Sequence, residues 1–305
     1  MTTLDLGNNL HVVIGGTFPY CNAIIVDSTE IGVIDPGCRI EDIRKFLVRH
    51  DKDIHDIDYI VLSHIHPDHI THASRIQRLS KCKIVANEIT APLFNDKELM
   101  RDFLGFHREH KIRPFWEELV NEKMYGCLDE GHVDIILRDA AEFNIGDVTL
   151  RTFYTPGHLP DHMCVEFPES ELIFGADIDC TDFGPFYGHP NASITEFRDS
   201  IHRLSNLDFK GLISGHLSEP LIKDYKTALK SYELQIDMRE DFVLMAITGG
   251  AGTVDEITLN PIIYRSLSNV VFLQFEKWMI KHHVDSLLEK ELIRVEGDRY
   301  IPTQT

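Results

Sequence analysis

His64-Ile65-His66-Pro67-Asp68-His69 is the stretch whose reading decides the fold. It follows the apolar, β-branched run Tyr59-Ile60-Val61-Leu62-Ser63, which reads as a buried strand. Three imidazoles and a carboxylate at such close spacing are hard to explain as packing. As ligands they suit zinc and, with other tuning, iron or manganese. Residues i and i+2 of an extended segment point the same way, so His64 and His66 can reach one ion together. His69 begins a different local geometry beside Asp68. A strand ending in this cluster would hold its ligands at the rim of a sheet, open to substrate.

Upstream, Leu10 to Ile14, Ala23 to Val26 and Ile31 to Ile34 are short apolar runs. They are bounded by Gly15-Gly16, Asp27-Ser28 and Asp35-Pro36-Gly37, the pattern of hairpins in a buried sheet. Ile40, Ile43, Phe46 and Leu47 give Ile40 to His50 a helical period. Downstream, a helix is expected from His69 through Ile76, then a strand at Lys83 to Ala86. From Pro92 to about Gly126 apolar residues such as Leu93, Phe103, Trp116 and Met124 sit among many charges. That stretch predicts a helical insertion of two helices interrupted near Arg113-Pro114, serving as a lid, a dimer face or extra core.

Strands resume at Val133 to Leu137, in a hairpin about Gly146-Asp147, and in a pair formed by Cys164 to Phe167 and Glu171 to Asp177. An amphipathic helix, Thr195 to Leu207, precedes a last strand, Gly211 to His216. β-Rich halves separated by helices predict a layered α/β sandwich. After Met238 helices are expected at Asp241 to Thr248, Thr253 to Arg265 and Leu273 to Lys290, then a hairpin turning at Glu296-Gly297-Asp298. Helices followed by a hairpin wing predict a small winged-helix-like domain over 237–305, after a main domain over 1–236.

Three further ligand candidates end strands: His158 after Pro156-Gly157, Asp177 after Gly175-Ala176, and His216 after Ser214-Gly215. With His64, His66, Asp68 and His69 they exceed what one tetrahedral zinc accepts. Divided between two ions they fit, with Asp177 as the shared bridge and Asp179 as its alternative. Two metals about 3.5–4 Å apart would deprotonate a bridging water and polarise the bond under attack.

This order of motifs resembles the metallo-β-lactamase superfamily over most of residues 10–220. The resemblance implies a four-layer αββα sandwich with a binuclear site at one sheet edge. It implies His64, His66 and His158 on one metal, Asp68, His69 and His216 on the other, and Asp177 bridging. Val284 to Ile293 resembles the C-terminal tail of glyoxalase II-like hydrolases with a winged-helix appendage. The implied activity is metal-dependent hydrolysis of a small ester, thioester or lactone, with zinc foremost and iron or manganese as alternatives. Asp68 would help orient the metal-bound hydroxide. The alternatives are a phosphodiesterase or endoribonuclease of the same superfamily and an iron-dependent oxidoreductase. The loop Thr181 to Pro190 is a candidate substrate wall, in which Tyr187 or His189 would donate a hydrogen bond to the developing oxyanion or leaving group. The remaining histidines, including His72, His162, His282 and His283, are expected to be solvated.

Composition narrows the partners. Acidic side chains outnumber basic ones 49 to 30, for a net charge of −19, which opposes binding of nucleic acid or anionic lipid. The C-terminal stretch shares that imbalance, so it is expected to pack on the core or to help form a homodimer. Six scattered cysteines, Cys127 among them, read as reduced thiols. The first residues lack the basic and apolar segments of a signal peptide, and no apolar run is long enough to span a bilayer. A cytoplasmic protein acting on a small-molecule substrate is the expectation.

Overall fold

The computed structural model describes residues 2–123 and 128–303, so Met124 and Cys127 lie outside the described residues. One sheet runs in chain order through β1 (Thr3–Gly7), β2 (Leu10–Val13), β3 (Ala23–Asp27), β4 (Ile31–Ile34), β5 (Tyr59–Val61), β6 (Lys83–Asn87) and β7 (Ile135–Leu137). It is antiparallel up to β4 and parallel from there on. The second contains β8 (Glu142–Ile145), β9 (Val148–Tyr154), β10 (Met163–Phe167), β11 (Leu172–Ala176), β12 (Gly211–Ser214) and β13 (Leu221–Ile222), with only β11 and β12 parallel.

The two-residue period of the strands sorts their apolar side chains into layers. Ile24, Ile34, Val61 and Val85 meet Leu150, Val165 and Phe174 between the sheets. Their neighbours Ile25, Val33, Ile60 and Ile84 point outward onto helix α1 (Ile40–Arg49), through Ile43, Phe46 and Leu47. On the other side Cys164, Ile173 and Leu212 meet Phe197 and Ile201. Strands buried on both faces read as unbroken apolar runs, as β3 and β4 do. The result is the αββα sandwich.

Several elements differ from expectation for local reasons. The helix after the histidine cluster is two pieces, α2 (Pro67–Ile70) and α3 (Ala73–Ser80). The insertion holds α4 (Thr90–Asn95), α5 (Lys97–Phe103) and α6 (Arg113–Lys123). Pro114 therefore lies in the first turn of α6, where its missing N–H costs nothing, instead of breaking a helix. After α7 (Ile194–Ser205), helix α8 (Tyr225–Thr248) runs unbroken through the expected division at 236/237. Its Leu229, Tyr232 and Ile236 pack on the sandwich, and its Val243 and Ile247 enter a separate C-terminal core.

The helix expected to reach Arg265 is only α9 (Val254–Ile257), because Pro261 restricts the backbone before it and supplies no N–H. Helix α10 (Val270–Glu289) starts at the Asn269 cap, and β14 (Ile293–Glu296) and β15 (Arg299–Pro302) form the hairpin about Gly297. Among the described residues no helix is long and apolar enough to cross a membrane.

Candidate metal centre

The ends of β4, β5, β11 and β12 place their loops along one seam between the sheets. Gly37 is required there by close approach, since a Cβ would lie 1.6 Å from the Asp68 carbonyl oxygen. Gly157, at φ +125°, brings the His158 loop against the backbone of Phe197, where a Cβ would lie 2.2 Å away. Along this seam His64, His66, His158 and Asp177 bring ligand atoms within 4.8 Å of one another, and Asp68, His69 and His216 form a second such group.

Asp177 stands between them. Its Oδ2 is 3.1 Å from His158 Nε2 and 3.8 Å from both His64 Nε2 and His66 Nδ1. Its Oδ1 is 2.8 Å from His69 Nε2 and 3.2 Å from His216 Nε2. Asp68 Oδ2 lies 3.8 Å from His216 Nε2. Asp179 is instead turned toward Thr181, whose N–H and hydroxyl donate to its Oδ1 at 3.1 Å.

Each imidazole is held by its outward nitrogen. His69 Nδ1 donates to Asp35 Oδ2 at 2.8 Å, His158 Nδ1 to the Phe186 carbonyl at 2.8 Å, and His216 Nδ1 to the Tyr20 carbonyl at 3.1 Å. The Ser63 hydroxyl donates to Asp35 Oδ2 at 2.5 Å and so accepts from His64 Nδ1 at 2.9 Å. His66 donates from Nε2 to His189 Nε2 at 2.9 Å, and His189 in turn donates from Nδ1 to the Leu104 carbonyl at 2.9 Å.

These partners leave an inward lone pair on each of the five rings, the tautomer a cation requires. His64 Nε2 is buried without a hydrogen-bond partner, and His66 Nδ1 faces His158 Nε2 at 2.8 Å, lone pair to lone pair. An orphaned buried nitrogen within a ring of acceptors fits a bound metal cation.

The charges agree. Burial alone would raise the Asp177 carboxyl, yet His69, His158 and His216 beside it hold it well below the usual carboxylate range. Burial drives His64 and His158 well below the ordinary imidazole value, so they stand neutral. Burial also lowers His216, but Asp177 and Asp68 outweigh it and raise that ring to about 9, so its inward nitrogen carries a proton that a bound cation would displace.

Above the seam opens a cavity of about 570 Å³, floored by His66, Asp68, Asp177 and His216. Tyr187 is not in its lining. The Tyr187 hydroxyl is fully buried, 2.7 Å from His283 Nε2 and 3.2 Å from the Arg239 guanidinium that donates to it, so it faces the C-terminal helices and no substrate. His189 does line the cavity, but both of its nitrogens are occupied, which removes it as a donor to substrate. Its place is behind His66.

The expected solvation of the other histidines is also corrected, since His72, His162 and His283 are buried. His162 Nε2 accepts the Asp177 N–H at 3.1 Å. Two carboxylates outside the expected set complete the support. Asp35, in the turn after β4, holds His69 and Ser63. Asp161 accepts the Ile65 N–H at 2.8 Å and the Thr90 hydroxyl at 2.9 Å. Asp35-Pro36-Gly37 reads as turn chemistry, and only its position beside β5 distinguishes it.

Comparison with known proteins agrees with the fold. The model of the "Metallo-beta-lactamase superfamily" matches residues 16–216. A hydroxyacylglutathione hydrolase of Francisella tularensis subsp. novicida is 33% identical over 93 residues, 29% of this chain and 36% of the relative, so the match spans little more than a third of that protein. An uncharacterized protein of Aquifex aeolicus is 24% identical over 197 residues, 64% of this chain and 82% of the relative. A metallo-beta-lactamase family protein from Thermus thermophilus has a similar fold over 98% of this chain and 100% of its own, with TM-score 0.75 at 20% identity. A beta-lactamase domain protein from Burkholderia ambifaria follows at TM-score 0.71 and 17% identity, over 99% of this chain and 93% of its own. With that family model matched across the histidine loops and both sheets, the chain belongs to the metallo-beta-lactamase superfamily.

Proposed function

We propose that this chain is a metal-dependent hydrolase of an ester, thioester or lactone that works with two divalent metal ions, zinc by the character of the donors. His64, His66 and His158 would hold one ion and Asp68, His69 and His216 the other, with Asp177 shared. The observation that carries this reading is the division of the Asp177 carboxylate, Oδ2 toward His158 and Oδ1 toward His69. Bound there, the ions would supply Lewis acidity toward a carbonyl and bring the pKa of a water near neutrality.

The chain's own groups do the rest. Asp68, on the cavity floor, is placed to orient the attacking water and accept its proton. Asp35, Ser63, His189 and the Phe186 and Tyr20 carbonyls hold the imidazoles in one tautomer. Phe183, Phe186, Phe272 and Phe275, which line the cavity, would keep bulk water away from the reacting carbonyl. The hydroxyacylglutathione in the name of the Francisella relative is a thioester, which is the class of bond proposed here and not the class of ligand.

The test is metal analysis of the purified chain beside an assay panel of esters, thioesters, lactones, a phosphodiester and RNA. Near two equivalents of zinc with turnover of carbonyl substrates is expected. Turnover of the phosphodiester or RNA alone would reject the assignment, and one redox-active iron without hydrolysis would point to oxidoreductase chemistry.

A further inference from the structure

The walls of the cavity come from three separate parts of the chain: Trp116 from α6, Phe183 and Phe186 from the loop after β11, and Tyr264, Phe272 and Phe275 from the C-terminal segment. The rings of the loop and of the C-terminal segment form a continuous surface. Phe183 and Tyr264 lie 5.1 Å apart between centroids, Tyr264 stacks on Phe272 at 5.5 Å, and Phe186 meets Phe275 edge-on at 5.4 Å. The volume of about 570 Å³ is that of a site for a drug-sized molecule and exceeds what a short acyl group would fill.

Apart from the seam imidazoles and the ions they would hold, the charges of the lining are all of one sign. Asp68, Asp177, Asp179 and Asp182 line the cavity, and among the described residues no lysine or arginine does. The Arg239 guanidinium, beside Phe183, is committed to the Phe183 and Pro185 carbonyls and to the Tyr187 hydroxyl. An anionic group lodged among these rings would be desolvated without a counter-charge. The net charge of −19 also repels anions on approach.

We infer that the substrate is an uncharged ester or thioester whose distal part is a long or bulky apolar group seated on this aromatic wall, with its reacting carbonyl over the histidine seam. The C-terminal segment is then part of the binding site, since Tyr264, Phe272 and Phe275 make one of its sides. Glu276, fully buried, fixes that side by accepting the N–H groups of Ile262, Ile263 and Tyr264 at 2.7, 3.1 and 3.0 Å. The inference rests on the hydrolytic reading for the reaction, and on the cavity alone for the class of ligand.

The test compares p-nitrophenyl octanoate, p-nitrophenyl acetate and the mono-p-nitrophenyl ester of suberic acid, which matches the octanoate in length but ends in a carboxylate. With the metal-loaded full chain, kcat/KM for the octanoate should exceed that for the acetate by at least about 100-fold, the effect of burying between three and four of its six additional methylenes at about fourfold each. It should exceed that for the suberate by at least about tenfold. Leu119→Lys, at a partly exposed position of the wall, should narrow the octanoate-to-suberate ratio. Acetate or suberate turned over as well as octanoate would overturn the inference.

A binding measurement separates this from the hydrolytic reading. By calorimetry, 2-decanone should saturate one site on the chelated full chain, with 9-oxodecanoate weaker by at least about tenfold. No ketone binding, or parity between the two, would overturn the inference. Ketone binding without turnover of any ester by the metal-loaded chain would contradict the hydrolytic reading while the ligand class stands.

Discussion

At the scale of single residues, the groups that would touch the metals could be read from sequence, but the groups that aim them could not. Histidines and aspartates at strand ends announce ligand chemistry by type and spacing. Asp35 sits in a turn motif and Asp161 in an unremarkable loop, and only the folded sheet shows that their carboxylates reach His69 and the Ile65 amide. Asp35→Asn should leave His69 poorly oriented and weaken metal binding by roughly 10–100-fold, measured by competition with a chelator. His189→Phe should weaken binding by a similar factor, with partial recovery in His189→Gln, whose side-chain carbonyl can accept from His66. Tyr187→Phe should do something different: turnover stays unchanged while the unfolding free energy falls by about 1–3 kcal/mol in a denaturant titration, because a buried bond to His283 is lost.

At the scale of elements, periodicity located most strands and helices but misjudged where α8 begins and how the insertion is divided into helices. The apolar positions of α8 serve two cores in succession, Ile236 with the sandwich and Val243 with the C-terminal core, so no change of pattern marks the crossing. Pro114 and Pro261 show the same residue opening one helix and preventing the extension of another. The joint between α8 and α10 contains an ion pair of the buried Glu240 with the half-exposed Lys290, beside His283. Burial would raise the Glu240 carboxyl, but His283, Lys290 and Ser286 hold it down to about 2 from an ordinary 4.5. A depressed carboxyl of this kind stabilises the fold fully above its unfolded pKa and loses that contribution as pH falls from about 4.5 toward about 2. Glu240→Gln should therefore cost on the order of 2 kcal/mol at neutral pH, and the difference from the parent should shrink as unfolding is measured from pH 5 down to pH 3.

At the scale of the whole molecule, the layered sandwich was legible because two-residue and helical periods each matched the layers they form. The cavity was not, since its aromatic rings come from α6, the loop after β11 and the segment around α10, which only folding brings together. The candidate metal site joins the two halves of the sandwich: His64, His66, Asp68 and His69 follow the first sheet, and His158, Asp177 and His216 belong to the second. Cations bound across that seam should stabilise the fold as ligands do, by about 4 kcal/mol at a thousandfold excess over the dissociation constant. The most direct measurement is stepwise zinc reconstitution of the chelated full chain, followed by thermal unfolding and ester turnover in parallel. Both signals should rise until two equivalents are bound, and Asp177→Ala should lose the joint response. Saturation of both at a single equivalent, or undiminished turnover in the chelated chain, would contradict a two-metal hydrolytic centre bridged by Asp177.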